Sequence, residues 1–300
     1  MGRYFLCIMA CALGLHAAAQ QSMSFDLNPP TVHQPQESPD FDPQLIHLEA
    51  PSPDGDSYRS FLMRQKIKQA QKNNQEAQFQ LRSGQAPSPT LGLQTRMYIV
   101  QAGNIRDIIG GIPNDNTLAV SNDGLVLCGV NSRIWAYNSN TDTTHFPNQV
   151  QPLRNFGGGS SFDSNFDPKI MYDPEADRWV LVYLQNFSPS DSRIKVCFSS
   201  TNDPNDPWYA YTLPGNPLNN DRWSDFPALS IANGSLFLTL NLIIPNVSWQ
   251  VGFDGSIIWQ MDLADGYSGA PDLGNRLWYD IKYDDRYIRN LHPAWGHDGN

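Results

Sequence analysis

The chain has 300 residues, with 20 basic against 30 acidic side chains and a formal net charge of −10 at pH 7. An acidic protein of this kind is a poor ligand for nucleic acids and for anionic membranes, because both carry negative charge. After residue 19, no stretch approaches the ~18 to 20 consecutive apolar residues of a transmembrane helix. The composition therefore argues against a nucleic-acid-binding protein and a helical membrane protein.

Residues 1–19 have the features of a secretory signal peptide. Arg3 supplies the positive charge, an apolar run extends from Tyr4 to Leu15, and small residues precede Gln20. This order of charge, apolar core and small residues is typical of a signal peptide and its cleavage site. We expect the mature chain to begin at Gln20 and to be secreted or held at the outer cell surface.

Three further segments precede the main body of the chain. Residues 20–56 are rich in Pro, Gln, Ser and Asp and have few apolar groups, which predicts a disordered leader. Residues 57–84 carry a modest apolar stripe at helical spacing, which indicates a solvated helical spacer or, alternatively, a short coiled coil or docking helix. Residues 85–97 form a linker with two prolines. The rest, residues 98–300, is interpreted as repeated β-structure.

The main body contains one complete repeat of strands and turns. It begins at Asp167-Pro168, where the proline presets the backbone at a turn. The run from Trp179 to Leu184 is apolar on both alternating faces, as in a strand that lies between two other sheets. A second Asp-Pro turn follows before Trp208. This unit predicts one blade of a β-propeller.

Weaker copies of this unit flank it on both sides. One starts near Asp115 and the other near Asp225, so the repeats are about 50 to 60 residues long, more than the ~40–45 of a compact WD-type blade. The predicted fold is all-β, a propeller with about three visible blades. Because a propeller closes with roughly four to eight blades, we expect these residues to be the amino-terminal part of a longer propeller.

Four ordered motifs resemble those of a group of secreted bacterial proteins, frequent in Bacteroidetes, that often carry a carboxy-terminal sorting domain. They stand at residues 113–120 (PPDTxGAV in the family), 167–179 (DPxVxYDxxxxRW), 200–211 (SxTxDPxxxWxxY) and 223–227 (WxDYP). Asn116 stands where the family usually has Thr. The resemblance implies the propeller fold, with Asp173, Arg178 and Trp179 in the blade motif. It implies no particular activity, since one fold hosts many functions.

The hairpin at residues 200–208 is distantly similar to the Asp-box turn of sialidases. In such turns an Asp accepts hydrogen bonds from backbone N–H groups and a Trp packs beneath them. The resemblance gives these two roles to Asp203 and Trp208. Both roles are structural, so the hairpin supports the fold and not a reaction.

No catalytic residue is assigned from the sequence. The Gly-x-Ser-x-Gly elbow of α/β-hydrolases does not occur, and the Cys and His spacings of zinc sites are missing. A sialidase needs a Glu partner for its Tyr nucleophile, yet Glu175 is the only Glu between Asn114 and Val251. Cys128 and Cys197, the two cysteines of the mature chain, are interpreted as buried free thiols or, alternatively, as a disulfide.

Two groups of residues are candidates for ligand binding. Asp115, Asp167 and Asp225 occupy equivalent positions at the start of their repeats, with His292 as a further candidate. Loops that lead into the innermost strands of a propeller meet around its central channel, so these carboxylates are expected to converge there. They would hold Ca²⁺ or a polar ligand; alternatively, each Asp caps its own turn.

The second group lies in the connection between residues 242 and 256. It carries Trp249 and Phe253, and Arg222 and Trp223 border the same surface. Exposed aromatic rings next to amides and carboxylates suit stacking on sugar rings or on a peptide. The alternative is that the rings fold back onto their own repeat.

These features favour a noncatalytic binding or adhesion scaffold, secreted or on the cell surface, for a glycan or a protein. The alternative is an extracellular glycoside hydrolase, similar to sialidases, whose catalytic residues are completed outside these 300 residues. No cofactor other than Ca²⁺ is suggested. Neither nucleic acid nor a membrane is an expected partner, and the sequence does not predict an oligomeric state.

Overall fold

The computed structural model describes residues 21–35, 115–141, 143–146, 150–247 and 249–294. The predicted signal peptide, the helical spacer at 57–84 and the linker at 85–97 lie outside the described residues. The described chain is all-β, with several antiparallel sheets and three short helices. The helices are α1 (Arg154–Gly157), α2 (Trp249–Gly252) and α3 (Leu263–Ser268).

Two short strands come first in the chain, β1 (Gln21–Met23) and β2 (Thr31–His33). The first sheet follows, in the order β3-β4-β5-β6, and β7 also pairs with β5. Its strands are β3 (Thr117–Val120), β4 (Leu125–Val130), β5 (Arg133–Asn138), β6 (Thr143–Thr144) and β7 (Val150–Pro152).

The second and third sheets each consist of four consecutive strands and one outer strand from the amino-terminal segment. The second sheet contains β8 (Asn165–Asp173), β9 (Arg178–Gln185), β10 (Arg193–Ser199) and β11 (Trp208–Pro214), with β2 on its outer edge. The third contains β12 (Trp223–Ala232), β13 (Ser235–Ile243), β14 (Phe253–Asp262) and β15 (Asn275–Tyr279), with β1 outside β15. A hairpin of β16 (Lys282–Tyr283) and β17 (Arg286–Tyr287) follows.

The second sheet lies between the other two, and its side chains divide between two hydrophobic cores. Trp179, Leu181 and Tyr183 of β9 point into a core shared with the first sheet. Their neighbours in β9, among them Val180 and Val182, point into a core shared with the third sheet. All five are fully buried. This arrangement explains why β9 is apolar on both faces, whereas a strand with one solvated face would alternate.

The sequence prediction was wrong for the part of the amino-terminal leader that the structure describes, residues 21–35. Residues 20–56 were expected to be disordered, yet β1 pairs with β15 and β2 pairs with β11. Between these strands, the Phe25 backbone N–H donates to Asn275 Oδ1 (3.1 Å) and Asn275 Nδ2 donates to the Phe25 carbonyl (2.8 Å). The Phe25 ring packs against Trp259. Residues 21–33 are ordered because their two strands complete exposed sheet edges, although they have no core of their own.

The blade-motif residues brace the turns at the ends of the second sheet. Asp173 Oδ1 accepts hydrogen bonds from the backbone of residues 175 and 176, and the Arg178 guanidinium donates to the carbonyl of Asp177 (2.9 Å). The indole of Trp179 donates to the carbonyl of Asn202 (2.8 Å). In the following turn, Asp203 Oδ1 accepts from the backbone of residue 205 and Trp208 Nε1 donates to the carbonyl of residue 204.

Cys128 and Cys197 are free thiols, so the alternative of a disulfide between them is wrong. Cys197 belongs to the core between the first and second sheets. Cys128 packs on a separate cluster with Val126 and Trp135. The two thiols therefore lie in different layers of the structure. Burial raises the pKa of Cys197 to about 12, which keeps its thiol protonated and unreactive at neutral pH.

Candidate functional site

The three sheets begin at the same side of the molecule. Their first strands, β3, β8 and β12, contact one another in that order. At the start of β8, Ser132 Oγ of the first sheet donates to the carbonyl of Asn165 (3.1 Å). At the far end, Tyr267 Oη of the third sheet donates to Asp173 Oδ2 (3.0 Å). The sheets thus lie side by side with their corresponding ends together. Their loops therefore divide between two faces.

We call the side where the first strands begin the upper face, and the opposite side the lower face. The upper face consists of the starts of β3, β8, β12 and β14 together with the loops at residues 131–132, 153–164, 186–192, 215–222, 244–252 and 280–289. The lower face consists of the loops at residues 121–124, 174–177, 200–207, 233–234 and 263–274. The three predicted aspartates lie on the upper face.

The structure brings Asp115, Asp167 and Asp225 together. The carboxyl groups of Asp115 and Asp167 are within hydrogen-bonding distance of each other, and Asp225 is close enough for its charge to act on Asp167. The negative charge of Asp115 also acts on Asp225. All three residues are half-buried. We call these residues the carboxylate cluster.

A buried asparagine that the sequence analysis missed holds two members of the carboxylate cluster in place. Asn131 Nδ2 donates to Asp115 Oδ2, and Asn131 Oδ1 accepts from the Asp167 backbone N–H, both at 2.7 Å. Asn241 repeats this device in the third sheet, where its Oδ1 accepts from the backbone N–H of Asn290 (3.1 Å). Asn131 directly follows β4, and Asn241 lies near the end of β13. Each therefore stands after a run of mostly apolar residues that is visible in the sequence.

The strand pairing corrects the predicted equivalence of the aspartates. Pairing between β8 and β9 is interrupted at Asp167 and Pro168, and pairing between β12 and β13 is interrupted at Phe226 and Pro227. These β-bulges arise where a proline has no N–H to give to the ladder. The counterpart of Asp167 is therefore Phe226, and Asp225 lies one residue earlier.

The backbone at these positions is left-handed. The φ angle is +42° at Asp115, +50° at Asp167 and +57° at Phe226. Asp tolerates this region well, whereas a bulky residue such as Phe is rarely found there. Strained backbone of this kind is concentrated at functional sites. In the third sheet it holds the Phe226 ring at the upper face, 43% exposed and 5.6 Å from the ring of His292.

The carboxylate cluster is electrostatically unfavourable when it is fully ionised. Burial, followed by the negative charges of Asp225 and Asp115, raises the pKa of Asp167 well above its ordinary value. Burial and the charge of Asp115 raise the pKa of Asp225 to about 6. Burial and the neighbouring carboxylates thus favour the protonated form of Asp167. Within the described residues, none of the three carboxylates forms an ion pair.

The described residues contain no group of three or more His, Cys, Asp or Glu side chains arranged to hold a metal ion. This applies to the carboxylate cluster as well. Asp115 and Asp167 lie within hydrogen-bonding distance of each other and are not spread around a central position. The arrangement therefore gives no support to Ca²⁺ as the ligand.

Most of the second group of predicted binding residues is engaged within the protein. The Trp223 ring packs against the core between the second and third sheets, 6.3 Å from the ring of Phe166. The Arg289 guanidinium covers Phe253 at 4.5 Å, and Arg222 Nε donates to Asp254 Oδ2 at 2.8 Å. The backbone of residue 249 begins α2, but the side chain of Trp249 lies outside the described atoms.

The exposed apolar side chains of the upper face are different residues from those expected. Phe162 is 92% exposed and Tyr283 is 73% exposed. The other large apolar side chains exposed on this face are Phe187, Phe226, Val247, Val251 and Tyr287. Within the described residues, the lower-face loops expose no large apolar side chain. Seven of the ten large apolar side chains exposed in the described residues thus belong to the upper face; the others are Val32 of β2 and Leu118 and Val120 of β3, with Val120 next to the lower-face loop at 121–124.

Comparison with known proteins gives no family and no relative: the sequence matches no family profile and no curated protein. Across the described residues, no helix is both long enough and apolar enough to cross a membrane. The function is therefore inferred from the residues of the upper face.

Proposed function

We propose that this protein is a noncatalytic binding scaffold of β-propeller architecture, secreted or displayed at the cell surface. The observation that carries the proposal is the upper face, where exposed apolar side chains and carboxylates that form no ion pair in the described residues lie at the same end of the sheets. Contiguous exposed apolar surface on a globular protein is typical of an interaction site. Titratable groups with strongly shifted pKa values are also concentrated at functional sites.

Three features support the propeller. Consecutive antiparallel sheets lie side by side, with their first strands in contact. Asn131 and Asn241 each bind the backbone of a later segment at a left-handed residue, which is the relation expected between neighbouring blades. The motifs at residues 113–120, 167–179, 200–211 and 223–227 also resemble those of the secreted Bacteroidetes-type propellers. Each blade would then contribute its upper loops to one shared surface.

The geometry of the carboxylate cluster favours a scaffold over a glycoside hydrolase. Retaining glycosidases hold their two carboxyl groups ~5–5.5 Å apart, and inverting enzymes hold them ~6.5–9.5 Å apart, so that a sugar or a water fits between them. Asp115 and Asp167 are hydrogen-bonded to each other and leave no such space. Within the described residues, this pair would not flank a glycosidic bond.

Secretion follows from the predicted signal peptide and agrees with the position of β1. Cleavage after residue 19 would leave Gln20 immediately before β1, which begins at Gln21. The mature chain would therefore keep both outer strands. Extracellular exposure also suits an acidic protein that presents apolar loops to other molecules.

A binding screen distinguishes the two functions. The purified protein, expressed from Gln20, is applied to arrays of glycans, polysaccharides and peptides, with and without Ca²⁺. The scaffold hypothesis predicts retention of a ligand with no change in its mass. Release of shortened sugar products would establish the hydrolase instead, and Ca²⁺-dependent retention would contradict our view of the carboxylate cluster.

A further inference from the structure

We propose that the upper face docks a polypeptide segment that presents a Lys or Arg side chain to the carboxylate cluster and apolar side chains to the surrounding rings. This inference rests on the proposed scaffold function and names the class of its partner. Its basis is an apolar surface, a local charge with no partner, and a comparison with the lower face.

Two loops that carry exposed rings are joined at the upper end of the second sheet. Asn186 Nδ2 donates to Asp163 Oδ1 (3.2 Å), which joins the loop of the exposed Phe162 to the loop of the exposed Phe187. The Phe187 ring lies 6.5 Å from the ring of Phe166. Phe166 in turn lies beside Trp223 at the start of β12, so that buried rings support the exposed ones.

The surface continues over the third sheet. Phe226 and His292 meet edge to face beside the carboxylate cluster. The Tyr287 ring lies alongside the backbone at Gly255 and under the ammonium group of Lys282, which is 4.7 Å from the ring centre. Phe187, Phe226 and Tyr287 are therefore held by contacts within the protein, which lowers the entropy lost when a ligand binds them.

The chemistry of the exposed side chains favours a polypeptide over a glycan. Of the seven exposed side chains, only Tyr283 and Tyr287 combine a ring with a hydroxyl group, and Lys282 lies over the Tyr287 ring. The other five, three Phe and two Val, carry no polar group. Sugar recognition needs hydrogen-bonding groups beside an aromatic platform. Two aromatic candidates for such a platform, Trp223 and Phe253, are already packed or covered. Apolar side chains of a peptide fit this surface better.

The charges favour a cationic segment. Among the basic groups of the upper face, Arg222 pairs with Asp254, Lys282 pairs with Asp280, and Arg289 covers Phe253. The carboxylate cluster forms no ion pair in the described residues, and the one basic group whose charge acts on Asp167 is Lys169. A Lys or Arg from outside would relieve the repulsion among its members and form charge-assisted hydrogen bonds.

The lower face provides a control within the same molecule. Its loops also carry acidic groups, such as the exposed Glu175 and Asp272. They expose no large apolar side chain among the described residues. A basic peptide attracted by charge alone would therefore bind both faces, whereas the proposed partner depends on the rings of the upper face.

The test is a titration of the full chain with a fluorescent peptide of about ten residues that alternates Arg with Phe and Leu, followed by anisotropy. Comparison probes replace Arg by Glu, or Phe and Leu by Ser, and a neutral oligosaccharide completes the set. The upper-face variants are Phe162→Ala, Tyr283→Ala and Asp225→Asn. The matched controls are Val32→Ser, an exposed apolar residue on the outer edge, and the lower-face change Glu175→Gln.

We expect binding of the Arg-containing apolar peptide that weakens with salt, and a loss of about tenfold or more on combining Phe162→Ala with Tyr283→Ala. The control variants should retain the parent affinity. Equal binding of the Glu-containing peptide, or equal losses in the controls, overturns the inference. If the oligosaccharide alone binds and the upper-face variants abolish it, the scaffold function stands and the polypeptide inference is wrong. If no probe binds the upper face, both are overturned.

Discussion

Replacing Asp225 with Asn should stabilise the protein at neutral pH and have little effect on its stability at pH 4. Asp225 is half-buried and lies near the negative charge of Asp115, so its ionisation costs free energy in the folded state. Asn has nearly the same shape and keeps an oxygen that can accept the hydrogen bond from the Phe226 backbone. The change therefore removes a charge without opening a cavity.

The magnitude and the pH window follow from the pKa of Asp225. Folding raises it from 3.8 to about 6, so the folded state holds this proton more tightly than the unfolded state does. Stability from this group is fully present below pH 3.8 and is lost as pH rises to about 6. The full rise corresponds to about 3 kcal/mol, and partial access to solvent reduces this to about 1–2 kcal/mol.

Urea denaturation of the parent chain and of Asp225→Asn, at intervals between pH 4 and pH 8, measures the difference directly. The free-energy gap should open between pH 4 and pH 6 and stay constant above. Asp272→Asn, at an exposed lower-face position, is the control and should show no such gap. A variant that is no more stable than the parent at pH 7.5, or equally more stable at pH 4, would refute the reasoning.

Three other changes test the fold. Trp179→Ala should cost about 3–5 kcal/mol in urea denaturation, because a fully buried indole is removed; an unchanged midpoint would contradict the sheet order. Asn275→Ala removes both hydrogen bonds to Phe25 and should lower the free energy of unfolding by about 1–3 kcal/mol. Amide exchange in residues 21–33 should become faster. Unchanged protection there would contradict this role of Asn275. Cys197 should resist thiol reagents until the protein unfolds, so rapid labelling of the native protein at this residue would be inconsistent with its burial.

The sequence predicted the features that depend on apolar runs and on repeated motifs. The apolar run from Trp179 to Leu184 indicated a strand between two sheets, and β9 occupies that place. The convergence of the three aspartates was predictable because each stands where a repeat begins. Their exact equivalence was wrong, because β8 and β12 have the same bulge at their prolines and the residue before Pro227 is Phe226, whereas the residue before Pro168 is Asp167.

Other features depend on contacts that a local pattern does not contain. β1 and β2 have three residues each, and they are ordered by the edges of sheets whose strands lie far away in sequence. The exposure of Phe162 could not be predicted either, because it depends on the conformation of the Gly-rich loop that precedes this residue. Trp223 and Phe253 were predicted as ligand-binding residues, but Trp223 packs against the core and the Arg289 guanidinium covers the Phe253 ring. Neither contact is contained in the local sequence.

Hydrogen–deuterium exchange of the full chain, with and without the Arg-containing apolar peptide, tests the central claim most directly. The account predicts slower exchange in the upper-face loops at residues 158–164, 186–192 and 280–289, and unchanged exchange in the lower-face loops at 174–177 and 200–207. Protection confined to the lower face, or spread equally over both faces, would contradict the assignment of binding to the upper face.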